Sequence, residues 1–290
     1  MATNERSKNL SRLFKRQTLR KISLLGFTAF IATLVVRHVL TGEGGSASPE
    51  AYCPFGGLET LYRYISSGGS FVPHVHISNL VVFIGVVATA VLARSGFCGW
   101  VCPLGFIQEM VTDLSMLLQK RFSAIRQFVR RVKKQGAFLH AADRYMRLLK
   151  YVVLAWALGG TAIFGVMVFR DYDPWAALIS IAEVSLGPGL VVLAVMLVAS
   201  FIVERPWCRY SCPLGAVSGL LAKLSPVYLR RSENLCKNCS VCTKSCPMGL
   251  PVHKATTIKS VDCIGCLECV NACPKAGALE LKLGTPIVGS

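Results

Sequence analysis

The sequence predicts a mainly α-helical membrane protein with a small α+β module near its C-terminal end. Of its 290 residues, 53% are hydrophobic and only 16% are charged, whereas soluble domains carry about 25% charged residues. Long uncharged stretches account for this apolar excess, and eight of the 13 cysteines fall in two short runs near the C-terminus. The composition argues against an intrinsically disordered chain and against a soluble nucleic-acid-binding protein.

Four segments are long and apolar enough to cross a hydrocarbon core roughly 30 Å thick, which takes about 20 residues. They cover residues of about 21–40, 75–94, 150–169 and 184–203. The first is the weakest, because its uncharged part spans only residues 22–36. Lys21 and Arg37 can lengthen it by directing their charged ends to the interface. A signal peptide is the alternative, but no clear cleavage site follows. We predict a four-helix membrane domain over residues 21–226.

The basic residues orient these four helices. With the N-terminus in the cytoplasm, the inner segments carry 29 of the 32 Lys and Arg residues and the outer loops carry three. Basic residues accumulate on the cytoplasmic side of membrane proteins. We therefore predict a multi-pass protein of the cell inner (cytoplasmic) membrane, with a basic cytoplasmic tail over residues 1–20 and both termini in the cytoplasm. Much of the net charge of +17 is then a topology signal, and no nucleic-acid partner is predicted.

Residues 120–134 mix basic and apolar side chains in a helical pattern. This pattern predicts an amphipathic helix lying on the anionic inner leaflet, with membrane lipid as its partner. A solvated linker and a surface for docking a protein partner are the alternatives.

The C-terminal module, predicted over residues 227–290, contains the same cysteine pattern twice. Residues 236–247 read CKNCSVCTKSCP and residues 263–274 read CIGCLECVNACP. Both follow the C-x2-C-x2-C-x3-C-P spacing of bacterial two-[4Fe–4S] ferredoxins, in which the fourth cysteine of each run ligates the other cluster. The predicted ligands are Cys236, Cys239, Cys242 and Cys273 for cluster A, and Cys263, Cys266, Cys269 and Cys246 for cluster B.

Zinc sites and disulfides are the alternatives for these eight cysteines. Zinc would use two C-x2-C pairs and leave the third and fourth cysteine of each run unexplained. Disulfides are disfavoured because the module is predicted on the reducing, cytoplasmic side. We therefore predict a small α+β, ferredoxin-like module with two [4Fe–4S] clusters.

A second repeat reads C-x3-C-P-L-G and occurs at the predicted cytoplasmic ends of helices two and four. Its cysteines are Cys98 and Cys102 in the first copy and Cys208 and Cys212 in the second. The repeat predicts two parallel repeats of two helices each. Cysteines four residues apart on a helical turn face the same way, so the four thiols could meet at one site. A further metal centre, redox-active dithiols and inert structural thiols remain open.

Together these motifs resemble the NapH/NosR family of membrane-bound iron–sulfur proteins, from helix two to Cys273. The resemblance implies a quinol dehydrogenase-like component that exchanges electrons with the quinone pool and feeds a respiratory reductase through protein redox partners. The membrane part is also similar to CcoG-type proteins, which implies copper handling as an alternative function. A third alternative is an electron-relay anchor for a larger oxidoreductase complex. The resemblance does not extend to the large periplasmic flavin-binding domain of NosR proteins.

Four further side chains lie in or beside the predicted outer loops. Cys53 precedes Pro54 and is interpreted as a structural thiol, an intermolecular disulfide partner or a ligand shared with another subunit. His74 and His76 point to opposite sides of an extended chain, so a shared metal site is not expected. Asp173 is interpreted as a solvated turn acid, with a role as quinol proton acceptor as the alternative.

Overall fold

The computed structural model describes residues 2–41, 53–66, 77–135, 143, 145–182 and 187–284. His74 and His76 lie outside these residues. The α-helices of this part of the chain are α1 Ala2–Thr41, α2 Pro54–Ser66, α3 Ile77–Ala93, α4 Gly96–Trp100, α5 Pro103–Arg121, α6 Ser123–Gln135, α7 Leu149–Phe164, α8 Pro174–Ala182, α9 Pro188–Ser200, α10 Pro206–Tyr210, α11 Pro213–Leu221, α12 Val241–Lys244 and α13 Glu268–Asn271. The β-strands are β1 Val227–Arg231, β2 Thr257–Ile258 and β3 Leu279–Leu283.

Among the described residues, one helical stretch is both long enough and apolar enough to span a membrane. It covers Arg16–Leu40 within α1, so the first predicted membrane segment is one continuous helix with the basic tail before it. The other three predicted segments coincide with the shorter apolar helices α3, α7 and α9. The structure thus contains a helix at each predicted segment, and the four membrane crossings stay a prediction.

Helix α7 is shorter than its predicted segment because a glycine terminates it. It ends at Phe164, and Gly165 adopts a left-handed φ of 72° while its N–H donates to Thr161 O. This is the common glycine C-cap, which an L-residue fills only with strain. The prediction extended to residue 169 because hydropathy counts apolar residues and ignores the cap.

The amphipathic segment forms the predicted helix, α6. Val129 is buried, whereas Phe128 is exposed. Arg126, in the first turn of α6, contacts the end of α5, where its Nε donates to Gln119 O at 2.9 Å. A cation bound to the last carbonyls of a helix stabilises its C-terminal end. This hydrogen bond therefore stabilises the C-terminal end of α5.

The C-terminal module contains a three-stranded antiparallel sheet in the order β2-β1-β3. Leu229 in the central strand pairs with Ile258 on one side and Leu281 on the other. Leu229 and Ile258 are buried, and they form a small core with the buried residues Met248, Leu250 and Val252. The structure confirms a mostly helical chain with a small α+β module.

The chain divides into two compact units. One unit comprises residues 1–27, 86–102 and 217–290, and the other comprises residues 28–85 and 103–216. The first unit therefore contains both C-terminal cysteine runs together with Cys98 and Cys102. The second unit contains Cys208 and Cys212.

Candidate iron–sulfur centre

The two C-terminal cysteine runs share one backbone conformation. Left-handed φ angles occur immediately before and after the second cysteine of each run, at Asn238 and Ser240 in the first and at Gly265 and Leu267 in the second. Alternating handedness directs successive backbone N–H groups into one concavity, a nest typical of iron–sulfur sites. Leucine in particular avoids this conformation, and such strain is retained mainly at functional sites. The backbone of both runs therefore fits an anionic cluster.

At the predicted cluster A site, cysteines of both runs act on one another electrostatically. Burial and the nearby sulfurs of Cys273 and Cys236 raise the pKa of Cys242. Cys239 is exposed, and the other three predicted cluster A ligands are partly exposed. The fourth cysteine of the second run thus lies beside cysteines of the first run.

In the second run, burial raises the pKa of Cys269, and the sulfurs of Cys266, Cys263, Cys246 and Cys242 add to the rise. Cys246, the fourth cysteine of the first run, lines one small cavity together with Cys263, Cys266 and Cys269. Cys263, Cys266 and Cys269 are buried, and the sheet core packs beside them. The predicted cluster B site is thus drier than the cluster A site.

All 13 cysteines lie in the described part of the chain, and none of them forms a disulfide. Among the described residues, no group of three or more His, Cys, Asp or Glu side chains could bind a single metal ion. A cluster of four irons and four sulfides is larger than one ion, and its thiolates are correspondingly farther apart.

The two C-x3-C-P motifs have matching local structures. Ser95 and Arg205 adopt left-handed φ angles of 54° and 48°, and each immediately precedes a five-residue helix, α4 or α10. The first cysteine of each motif lies within that helix. The second follows it, and its N–H donates to a carbonyl five residues earlier, Cys102 to Phe97 O and Cys212 to Trp207 O. The sequence repeat is therefore also a structural repeat.

The prediction that both cysteines of a motif share one helical turn is wrong. Helix α4 ends at Trp100 and helix α10 at Tyr210, two residues before the second cysteine. A proline follows that cysteine, and its ring disfavours helical geometry in the residue before it. The predicted meeting of all four thiols involves both units of the chain and stays a prediction.

The first cysteine of each motif lies in a polar but enclosed environment. Cys98 is buried, with its Sγ 3.8 Å from Ser218 Oγ. Gln108 Nε2 donates to Cys208 Sγ at 3.5 Å. Burial raises the pKa of the Cys208 thiol, although Arg205 and Gln108 oppose this effect. Cys208 is therefore a protonated thiol at neutral pH when no metal is bound.

Within the first unit, the C-x3-C-P helix packs directly on the turn that holds the cluster B cysteines. Trp100 Nε1 donates to Gly265 O at 3.1 Å. A Cβ at Gly99 would lie 2.3 Å from Ile264 O, and one at Gly265 would lie 2.9 Å from Ala93 O. Only glycine allows backbones to approach this closely.

Arg20 joins helix α1 to the same region, and sequence analysis missed it. The side chain is 1% exposed. Its Nε donates to Gly99 O at 2.9 Å, and its Nη1 forms an ion pair with Glu268 Oε1 at 3.0 Å. The cation also acts on Cys266, where it opposes the rise in pKa that burial causes. In the sequence, Arg20 is indistinguishable from the other basic residues of the tail.

Asp143 holds the second C-x3-C-P helix in a comparable way. It pairs with Arg209 and Arg147 and accepts a hydrogen bond from Tyr210 at 2.7 Å. Partial burial opposes its ionisation, but these partners together lower the pKa of Asp143. Burial and the bond to Asp143 raise the pKa of Tyr210 to about 12. Since Arg209 and Tyr210 lie between Cys208 and Cys212, Asp143 fixes this motif from outside it.

A separate small cavity, the Cys53 pocket, is lined by Cys53, Glu59 and Asp173 and has a volume of about 40 Å³. Cys53 Sγ lies 3.7 Å from Asp173 Oδ2. Asp173 is 9% exposed and accepts a hydrogen bond from the Trp175 N–H at 3.0 Å. The interpretation of Asp173 as a solvated turn acid is therefore wrong.

Glu59 is a second buried acid of the Cys53 pocket that sequence analysis missed. It is 2% exposed and accepts a hydrogen bond from Thr161 Oγ1 at 3.1 Å. Burial raises the pKa of Glu59 to about 7. Its position six residues after Cys53 gave no signal, because nothing in the local sequence shows which face of α2 is buried.

Two protein-family models match the chain. A model described as a 4Fe-4S binding domain matches residues 75–124 and 186–232, and it includes each C-x3-C-P motif once. A model described as a 4Fe-4S dicluster domain matches residues 228–274, which contain both C-terminal cysteine runs. No solved structure matches the chain.

Several known proteins are similar over most of this chain. YccM of Escherichia coli (strain K12) is 29% identical over 82% of the chain, and the chain spans 64% of its length. An uncharacterised protein of Methanocaldococcus jannaschii is 32% identical over 69% of the chain and 76% of its own length. The ferredoxin-type protein NapH of Haemophilus influenzae is 29% identical over 68% of the chain and 67% of its own length. Together, the two family models and these relatives show that the chain belongs to the NapH/NosR-like family of iron–sulfur electron-transfer proteins.

Proposed function

We propose that this protein is a membrane electron-transfer subunit of the quinol dehydrogenase type. It moves electrons between the quinone pool and a respiratory redox partner through two [4Fe–4S] clusters, and it works together with partner subunits. The observation that carries the proposal is the pair of C-terminal cysteine runs. Their spacing, their repeated left-handed turns and the grouping of thiols across the runs all support two clusters.

The crossed grouping of thiols also supports a specific set of ligands. Cluster A would be held by Cys236, Cys239, Cys242 and Cys273, and cluster B by Cys263, Cys266, Cys269 and Cys246. When bound, each cluster accepts or donates one electron at a potential set by its charge, hydrogen bonds and exposure.

The difference in burial between the two cysteine sites supports different roles in electron transfer for clusters A and B. The buried cluster B cysteines are shielded from water by Ile264 and the sheet core. Cys239 at the cluster A site is exposed, so a soluble protein can approach cluster A closely. Cluster A is therefore the exchange point with the protein partner, and cluster B lies on the side away from it.

Exposed apolar faces on the short helices support a multi-pass membrane domain over residues 21–226. Ile84 of α3, Ile163 of α7 and Val198 of α9 are each more than half exposed. Soluble proteins rarely leave large continuous apolar surfaces in water, whereas lipid covers them. In this topology both termini lie in the cytoplasm and α6 rests on the inner leaflet of the inner membrane.

The decisive experiment is anaerobic purification followed by iron and acid-labile sulfide analysis and EPR spectroscopy. Two clusters predict about eight irons and eight sulfides per chain. Cys273→Ser should perturb the cluster A signal, and Cys246→Ser the cluster B signal. Stoichiometric zinc without sulfide would contradict the proposal. About twelve irons would add a third cluster at Cys98, Cys102, Cys208 and Cys212.

Exchange with the quinone pool is tested separately on the same preparation. A soluble hydroquinone should bleach the cluster absorbance, or a quinone should reoxidise clusters that dithionite has reduced. Clusters that dithionite reduces but that exchange with neither quinone form would leave the electron-transfer role in place and remove the quinone pool from it.

A further inference from the structure

A cavity of about 370 Å³ lies within the first unit, against the turn that carries the cluster B cysteines. The end of α3 contributes Thr89 and Ala93 to its wall, and α4 contributes Phe97 and Trp100. The remaining wall consists of sheet residues and of the cluster B turn, including Cys263. We call this the Cys263 cavity.

We propose that the Cys263 cavity binds the head group of a quinone or hydroquinone and exchanges electrons directly with cluster B. This inference rests on the proposed function, since it places the quinone site that the proposed function requires. It also assigns particular residues to that site.

The position of the cavity favours a redox-active occupant. Cys263, a proposed ligand of cluster B, and Gly265 and Leu267 of the same turn form part of the wall. A quinone ring in the cavity would therefore contact Cys263 and the turn that holds the cluster B cysteines. In oxidation, a hydroquinone would lose two electrons, one to each cluster, and release two protons to water. Reduction of a quinone would take two electrons from the clusters and two protons from water.

The size and lining of the cavity fit a substituted ring. Pockets for small organic molecules have volumes of about 300–1,000 Å³ and predominantly apolar walls. Phe97 and Trp100 supply aromatic surface, and the bond from Trp100 Nε1 to Gly265 O fixes the indole. Leu92, the neighbour of Ala93 on α3, is 67% exposed and is not one of the residues that line the cavity.

Arg94 supplies a fixed positive charge to the cavity wall. It is 2% exposed, and its two terminal nitrogens donate to Val227 O at 3.3 Å and Ser260 O at 2.7 Å. Its Nε is buried without a hydrogen-bond partner among the described residues, and its backbone is left-handed with a φ of 50°. A buried, held guanidinium stabilises the negative charge that develops on a ring oxygen during reduction. Because arginine stays protonated, it is not the proton acceptor.

The Cys53 pocket is the competing location, because its two buried carboxyl groups could accept protons. Its volume of about 40 Å³ is far below that of pockets that hold small organic molecules, about 300 Å³ or more. The observed volumes therefore favour the Cys263 cavity.

Photolabelling of the anaerobically purified, cluster-containing protein with an azidoquinone distinguishes the two locations. After illumination and proteolysis, mass spectrometry should find the label on residues 89–101 or 263–267, and excess unlabelled quinone should prevent it. Label confined to residues 53–59 or 167–176 would overturn the placement in the Cys263 cavity.

Filling the cavity provides a functional test. Thr89 and Val101 both line the cavity, so Thr89→Phe and Val101→Phe each add bulk to its wall. Leu92→Phe adds similar bulk at an exposed position of the same helix as Thr89. We expect hydroquinone to reduce the clusters of the Thr89→Phe and Val101→Phe variants at least about ten-fold more slowly than those of the unmodified protein. Reduction by dithionite and the EPR spectra should stay unchanged, and Leu92→Phe should behave like the unmodified protein.

Two results would contradict the proposal in different ways. If both filled variants accept electrons from hydroquinone as fast as Leu92→Phe does, the Cys263 cavity is not the quinone site. If the unmodified protein neither accepts electrons from hydroquinone nor gives them to quinone while dithionite reduces it, the quinone part of the proposed function fails. The labelling pattern is read on the unmodified protein, so it does not depend on how the variants fold.

Discussion

At the scale of single residues, buried charges connect the cysteine motifs to the rest of their unit. Burying an ion is costly unless a counter-charge and hydrogen bonds compensate for it. Arg20 has both, through Glu268 and Gly99 O. It also lies close enough to the cluster B cysteine Cys266 to affect its electrostatics. We therefore propose that Arg20 positions the cysteines of the proposed cluster B and adjusts the reduction potential of that cluster.

Replacing Arg20 with glutamine should lower the reduction potential of cluster B by tens of millivolts, because a nearby cation stabilises an added electron. The potential of cluster A should change much less. An EPR-monitored redox titration of the purified protein measures both potentials. Arg16→Gln is the matched control, since Arg16 is an exposed basic residue of the same helix. Equal shifts in both clusters, or no shift, would contradict the role of Arg20.

Glu59 should make stability depend on pH. Its folded-state pKa of about 7 lies above the ordinary value of 4.5 because the carboxyl is buried. The folded protein thus binds the proton more tightly than the unfolded chain. The associated stability is fully present below pH 4.5 and is lost as pH rises through 7, an effect of about 3 kcal/mol.

Thermal unfolding in detergent at several pH values tests this expectation. The melting temperature should fall between pH 5 and pH 8, and Glu59→Gln should flatten the fall. Glu280→Gln, at a half-exposed position, should retain the pH dependence of the unmodified protein. An unchanged pH profile in Glu59→Gln would show that Glu59 is not the responsible group.

At the scale of elements, glycine determines how α4 meets the cluster B turn. The backbones touch at Gly99 and Ile264, and Trp100 adds a hydrogen bond to Gly265 O. A helix of five residues, such as α4, is not stable by itself. Its position therefore depends on such contacts.

Gly99→Ala should displace the cluster B turn, because the new Cβ would lie 2.3 Å from Ile264 O. We expect partial loss of iron and a lower melting temperature. Gly85→Ala is the control, since a Cβ there meets nothing within 4 Å. On an open helical face the same substitution should stabilise the protein by about 0.5–1 kcal/mol. Full iron content and unchanged stability in Gly99→Ala would contradict the close packing.

At the scale of the whole molecule, the distribution of charge and apolar surface predicts the topology. Fusions of a periplasm-dependent phosphatase and a cytoplasmic fluorescent protein after residues 70, 140 and 290 measure it directly. The phosphatase should be active only after residue 70, and the fluorescent protein should be bright after residues 140 and 290. Phosphatase activity after residue 140 would contradict the four-crossing topology, because the excess of basic residues would then lie outside.

The sequence by itself determined the features that depend on residues close together along the chain. Cysteine spacing identified both C-terminal runs, and hydropathy located the apolar helices α3, α7 and α9, although the Gly165 cap makes α7 shorter than its predicted segment. The C-x3-C-P repeat was recognised because it too depends only on local spacing. The prediction that one helical turn holds both of its cysteines was wrong, because the proline after the second cysteine disfavours helical geometry there.

Only the tertiary structure decided which polar groups are buried and what they contact. Arg20 meets Glu268, 248 residues away along the chain, and Cys53 meets Asp173 across 120 residues. No local pattern encodes these pairs, because the burial of a charge depends on every element that packs around it. The Cys263 cavity has the same origin, since α3, α4, the sheet and the cluster B turn each form part of its wall.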